Sequence, residues 1–248
     1  MWLLYQLATS VALILVAPFL LIGRWRHYLP TLRGRLGLTQ PPAPGDRPLW
    51  IHAVSVGEVG VAETLIRSLP PELPLLLTTV TPTGQARARA RLGDRATITY
   101  LPFEIGPVVR RQFDRYAPRG LVLVEGDLWP LVLREARRRA LPVIVVNGRV
   151  GDTSFRRMRR LRRLLGPLLE PVRRFAVQGS RDRHRLEELG VESQRIVETG
   201  SLKYDTPVPP PSDSPPLADA PPLENAPLPE AIDEEVESLL AESAELSA

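Results

Sequence analysis

Seven short apolar runs recur between residues 49 and 200, each set off from the next by a stretch of helical spacing, and this alternation narrows the possible folds more than any other feature. The runs are Leu49–Val54, Leu75–Thr79, Thr97–Leu101, Gly120–Glu125, Val143–Asn147, Arg174–Gln178 and Arg195–Thr199. Helical patterns lie near Glu58–Leu69, Thr83–Leu92, Ile105–Tyr116, Leu131–Ala140, Phe155–Leu165 and Arg181–Leu189. In the third of these, Ile105, Val108, Val109, Phe113 and Tyr116 fall on one face. Alternating strands and helices predict an α/β fold: a Rossmann-like parallel sheet with helices on both faces. The strands read as continuous apolar runs, as strands covered on both sides should. Ligands in such sheets bind beyond the strand carboxyl ends, so chemistry-bearing residues are expected just after each strand.

Polar residues do cluster there. The first strand leads into Ser55-Val56-Gly57-Glu58, and the second into Thr79-Val80-Thr81-Pro82-Thr83-Gly84. The fourth ends in Glu125-Gly126-Asp127, the fifth in Asn147-Gly148-Arg149, and the seventh in Gly200-Ser201-Leu202-Lys203. Glu58 is the sharpest candidate. It sits at a helix start, where the dipole is expected to keep a carboxylate ionised and able to take a proton from a hydroxyl. Ser55-x-x-Glu58 equally matches a capping box, in which Glu58 only satisfies a backbone N–H. Glu125 and Asp127 could orient an acceptor hydroxyl or bind a cation; alternatively Asp127 caps the next helix, with Pro130 in its first turn. Asn147 contributes an amide to the same rim. Arg149 and Lys203 could hold an anion or be ordinary solvated charges. Thr83 and Gly84 could offer a hydroxyl and an N–H to an anion at a helix start, although no P-loop Lys follows.

Charge is distributed unevenly. All 32 Lys and Arg precede Thr206, and ten of the 28 acidic residues follow Lys203–Asp205. The basic body predicts an anionic partner. Its densest stretch holds Arg156, Arg157, Arg159, Arg160, Arg162 and Arg163, interleaved with Phe155, Met158, Leu161 and Leu164. Arg pairs with phosphate through a planar fork, so lipid phosphates at a membrane surface are the expected partner, against a merely solvated helix face. Nucleic acid is not expected, because no binding motif accompanies the charge. Cysteine is absent, which excludes a disulfide scaffold, a Cys-based zinc site and a thiol nucleophile. Only three His occur, well apart in sequence, and no metal site is expected.

The ends differ from the body. Residues 1–23 carry no charge, and Arg24, Arg26, Arg33 and Arg35 follow. This predicts a transmembrane signal anchor over 1–23 with the body on the cytoplasmic side, followed by a juxtamembrane linker over 24–48. Residues 49–205 form the expected catalytic domain. Residues 206–248, Pro-rich and acidic, are expected to be mostly disordered, with Ile232, Val236, Leu239, Leu240 and Leu246 leaving open a short amphipathic helix against a frayed tail.

Taken together, WIHAVSVGEVG (50–60), TTVTPTGQARA (78–88), YLPFE (100–104), LVEGDLWPLVL (123–133), VVNGRV (145–150) and TGSLKYD (199–205) resemble the Kdo (3-deoxy-D-manno-octulosonic acid) transferases of lipopolysaccharide synthesis. The resemblance spans about residues 1–205 and implies the N-terminal, acceptor-binding half of a GT-B glycosyltransferase at the cell inner membrane. It implies transfer of Kdo from CMP-Kdo to lipid IVA, with no cofactor or metal, and gives Glu58 the part of general base. It places Glu125 in an acceptor-side acidic motif, where Gly126-Asp127 replaces the more usual Thr-Glu. After Asp205 the likeness ends, so the donor-binding domain is expected from a separate chain. A non-catalytic, membrane-anchored binder of anionic glycolipid, or an inactive remnant, is the alternative.

Overall fold

The structure, a computed structural model, describes residues 25–38, 41–202 and 236–237. The anchor expected over 1–23 lies outside them, as do Lys203 and nearly all of the acidic tail. Among the described residues no helix is long and apolar enough to cross a membrane.

The elements in chain order are α1 (Trp25–Arg35), β1 (Leu49–His52), α2 (Val56–Ser68), β2 (Leu75–Thr79), α3 (Pro82–Leu92), β3 (Thr97–Tyr100), α4 (Gly106–Tyr116) and β4 (Gly120–Val124). There follow α5 (Pro130–Arg138), β5 (Val143–Gly148), α6 (Asp152–Arg160), α7 (Arg162–Leu169), β6 (Val172–Val177), α8 (Ser180–Glu188) and β7 (Ile196–Glu198). The strands form one parallel sheet in the order β3-β2-β1-β4-β5-β6-β7. The order reverses between β1 and β4, where His52 pairs with Leu123. Chain connections diverge to opposite faces at such a point and leave a crevice at the strand carboxyl ends.

Alternation along each strand divides the core into two clusters. Ile51, Leu77, Val122 and Ile144 face α2 and α3. Trp50, Leu121, Leu123 and Val145 face α4, α5 and α7. Trp50 is fully buried, donates to Thr78 Oγ1 at 2.8 Å and meets the Phe113 ring edge-on at 5.0 Å. Helix α4 buries Val109, Gln112, Phe113 and Tyr116, the spacing of one helical face. It ends at Ala117, whose left-handed φ of 39° takes the place usually held by Gly, and Pro118 then stops it.

Three features depart from the sequence reading. Residues 24–48, read as a linker, include helix α1, which docks on the β3 edge: Arg35 O accepts the Phe103 N–H at 3.0 Å, and the Arg35 guanidinium lies 4.3 Å from the Phe103 ring centre. Pro30 and Gly34 mask it, since both oppose helix in an isolated sequence. The arginine-rich stretch, read as one helix over 155–165, breaks at Leu161, which is 53% exposed. Helix α6 has no buried residue to hold it in line with α7, which buries Leu165, Leu168 and Leu169. Val236, in a segment expected to be mostly disordered but left open to a short amphipathic helix, is helical and packs into the first core cluster at 2% exposure.

Candidate active site

The crevice at the switch point is built by two stapled loops. The Val54 carbonyl accepts the N–H groups of Val80 and Thr81 and the Thr81 hydroxyl, at 3.2–3.3 Å. The start of α3 thus lies against the β1–α2 turn. Gly84 permits this approach: a Cβ there would fall 2.8 Å from Thr81 Oγ1 and 3.3 Å from Val54 O. Its N–H is already taken by Thr81 Oγ1, at 3.1 Å, so the anion site expected at Gly84 is occupied by a helix cap. Thr83 lies exposed beside it, within 3.5 Å of Thr81 Oγ1.

Ser55 caps α2, and Glu58 closes the turn. Glu58 Oε2 accepts the Val54 N–H at 2.8 Å, and Oε1 accepts the Ser55 hydroxyl at 3.0 Å. The capping-box reading is therefore correct in outline, with the N–H of Val54 in place of that of Ser55. It does not exhaust the carboxylate, which has about four lone-pair directions and uses two here. Glu58 is 7% exposed. Burial pushes its pKa up, the two hydrogen bonds pull it down, and the charges of Glu125 and Asp127 push it up again, leaving it raised. Desolvation and two like charges thus outweigh the cap, and the pKa lies above the ordinary carboxyl value although Glu58 stands at a helix start.

Those like charges arrive from β4. Glu125 and Gly126 both have positive φ, 61° and 88°, and the turn is pinned because Glu125 N–H donates to Val146 O and Glu125 O accepts the Arg149 N–H. A non-glycine residue in that region is strained unless its surroundings fix it. Asp127 does not cap α5. Glu104 does so from the α4 approach, accepting the N–H groups of Leu131 at 2.8 Å and Val132 at 3.1 Å. Asp127 is released toward the crevice, where desolvation and then the charge of Glu125 raise its pKa.

Asn147, also at positive φ, is fully buried. Its Oδ1 accepts the Leu202 N–H at 3.1 Å, so it anchors the turn leading to Lys203. Arg149 is exposed at the rim. Arg156, Arg157, Arg159, Arg160 and Arg162 are all exposed, and none forms an ion pair among the described residues; the Arg163 side chain is outside them.

Three rim residues escaped the sequence reading. His52 Nδ1 lies 2.9 Å from Thr78 Oγ1, and burial drives its pKa down to about 3, so the ring is neutral. Its Nε2, the Nε1 of Trp129 and the Nε2 of Gln85 are buried without a hydrogen-bond partner. The His52 and Trp129 rings meet edge-on at 5.4 Å. Such orphaned groups are rare in folded proteins, and these sit at the carboxyl ends of β1 and β4 and just after β2. A polar residue closing an otherwise apolar strand was the available signal. A concavity of about 830 Å³ opens at the opposite end of the sheet, by the amino-terminal ends of β5 and β6. Its arginines are tied down: Arg137 to Glu170, Arg174 to Gln194 O and Arg195 to Leu169 O.

Comparison with known proteins agrees with this architecture. Solved UDP-N-acetylglucosamine 2-epimerases share the fold at 12% identity and a TM-score of 0.51, over 69% of this chain and 53% of the other. A 3-deoxy-D-manno-octulosonic acid transferase of Bordetella pertussis is 34% identical over 75% of this chain and 44% of its own length. One from Haemophilus influenzae is 31% identical over 73% of this chain and 43% of its own. The chain thus spans less than half the length of these relatives. The family model for 3-deoxy-D-manno-octulosonic-acid transferase (kdotransferase) matches residues 30–206, and this chain, with its Glu58, Glu125 and Asp127 grouped at the switch point, belongs to that family.

Proposed function

We propose that this chain provides the acceptor-binding half of a Kdo transferase, which moves Kdo from CMP-Kdo to lipid IVA in lipopolysaccharide synthesis. The observation that carries this reading is the meeting of Glu58, Glu125 and Asp127 at the switch point, with the pKa of Glu58 raised. A base works best when its pKa approaches the working pH, and a raised carboxyl moves in that direction. In the proposed step Glu58 takes the proton of an acceptor sugar hydroxyl. That oxygen bonds to the Kdo anomeric carbon as the bond from this carbon to the CMP phosphate oxygen breaks, and CMP leaves with the electron pair. Glu125 and Asp127 orient the acceptor; Asn147 holds the turn before Lys203, and Thr83 and Arg149 line the rim.

The donor's nucleotide is proposed to bind a second domain, which closes the crevice and excludes water. The protein is proposed to work at the inner membrane through a single-pass anchor, with this domain on the cytoplasmic side. Arg156, Arg157, Arg159, Arg160, Arg162 and Arg163 would face lipid phosphates there. The lack of carboxylate partners for Arg156, Arg157, Arg159, Arg160 and Arg162 among the described residues also favours a second reading, a glycolipid binder without turnover.

The two readings separate in one assay. The full chain is incubated with CMP-Kdo and lipid IVA, with and without an added nucleotide-binding domain. Transfer that falls about 10²–10⁴-fold in Glu58→Gln, with lipid IVA binding retained, supports the transferase. Binding without transfer under both conditions leaves the binder.

A further inference from the structure

Beneath α6 lies a cavity of about 230 Å³ that shares Glu125, Asp127 and Arg149 with the proposed acceptor site and whose apolar part that site does not use. Its depth is apolar, walled by Met158, Phe175, Leu186 and Leu189. Its mouth is polar and of two signs, with Glu125 and Asp127 on one part and Arg149 and Arg157 on another. Apolar cavities of about 150 Å³ stay dry and take up small hydrocarbons, so one of this size is a receptor for apolar matter. It is below the usual range for a whole small-molecule ligand, about 300–1,000 Å³, and suits one part of a larger molecule.

The helix above it is built for an occupant. Helix α6 buries none of its residues, although Phe155 and Met158 face inward and are half-buried. The side chains of Arg149 and Arg157 make no hydrogen bond or ion pair among the described residues. By contrast, Arg181 and Arg185 of α8 are engaged by Asp152 at the start of α6. Cations left without partners at the mouth of an apolar cavity call for a molecule with an anionic group joined to a hydrocarbon chain. The two carboxylates at the same mouth accept from hydroxyls.

We propose that this cavity seats an alkyl chain of an anionic, hydroxyl-bearing amphiphile, with its phosphate on Arg149 and Arg157 and its hydroxyls on Glu125 and Asp127. The proposal deepens the acceptor reading above by giving the acceptor's hydrocarbon a place. Its test is a binding measurement that needs neither donor nor turnover, so it can fail while that reading stands, or stand while that reading fails.

The probes are inorganic phosphate and water-soluble n-alkyl phosphates of two to eight carbons, titrated calorimetrically into the full chain. Each buried methylene is expected to tighten binding about fourfold, from about 0.8 kcal/mol per CH₂, until the cavity is full, after which affinity levels off. Met158→Trp, which fills the cavity from a helix that buries nothing, moves the plateau to shorter chains. Leu186→Phe, from another wall, does the same. Arg149→Gln with Arg157→Gln weakens every phosphate by a similar factor and leaves the plateau where it was. Affinity independent of chain length, affinity rising without a plateau, or a plateau unmoved in both cavity-filling variants overturns the proposal.

Discussion

The Ser55 hydroxyl donates to Glu58 Oε1 at 3.0 Å and accepts the Glu58 N–H at 3.4 Å, so the residue that caps α2 also holds the carboxylate proposed as base. Helix capping and acid–base chemistry are thereby coupled in one turn. The hydroxyl lowers the Glu58 pKa against the burial and the neighbouring carboxylates that raise it.

Ser55→Ala removes that lowering contribution. The Glu58 pKa is then expected to rise further, since burial, Glu125 and Asp127 are unchanged. A ¹³C titration of the Glu58 carboxyl reads this directly, and a midpoint that stays put or falls contradicts the coupling. Where transfer is measured, the acidic limb of kcat/KM moves to higher pH, because only the deprotonated base is active. The lost cap also costs about 1 kcal/mol of stability.

Glu104→Ala tests how Asp127 comes to face the crevice. Glu104 accepts two N–H groups at the start of α5, a helix whose own N-cap residue, Trp129, makes no side-chain cap. Without it, the Leu131 and Val132 donors lose their partner, at a cost of about 1–2 kcal/mol. For a domain of this size that lowers Tm by roughly 2–8 °C. If Asp127 is not a hidden cap, Asp127→Asn leaves Tm within about 1 kcal/mol equivalent of the original protein. Thermal melts of the two variants side by side give the answer; equal losses would restore the capping role to Asp127.

Much of this arrangement was legible in the sequence, and the reasons for the rest are physical. The central strands were readable because a sheet covered on both faces needs runs of apolar residues, and Leu75, Leu76 and Leu77 and the run from Val143 to Val146 supply them. The placing of Glu58, Glu125 and Asp127 after β1 and β4 followed from the same alternation. The raised Glu58 pKa was not legible, because it depends first on burial in the folded chain and then on carboxylates some 70 residues away coming beside it. Glu104 does not stand out in the sequence, since its partners lie 27 and 28 residues later in a different helix. His52 was passed over because one polar residue at the end of an apolar strand carries no periodicity.

His52 offers a measurement that needs no substrate. Burial first of all drives its pKa from 6.5 to about 3 in the folded protein. Between those values the unfolded chain binds a proton that the folded one does not, so stability falls as pH falls. The slope is about 1.4 kcal/mol per pH unit for this one group once pH is well below 6.5. His52→Asn keeps a polar group near Thr78 and removes the titration. Urea unfolding of both proteins from pH 7 to pH 5 is expected to show the wild type losing stability more steeply than the variant. Contributions from other groups, Glu58 included, are common to both proteins and cancel in the difference. Parallel curves would mean that His52 takes up its proton while folded, and so that its ring reaches water at the crevice instead of lying neutral against Thr78 and Trp129.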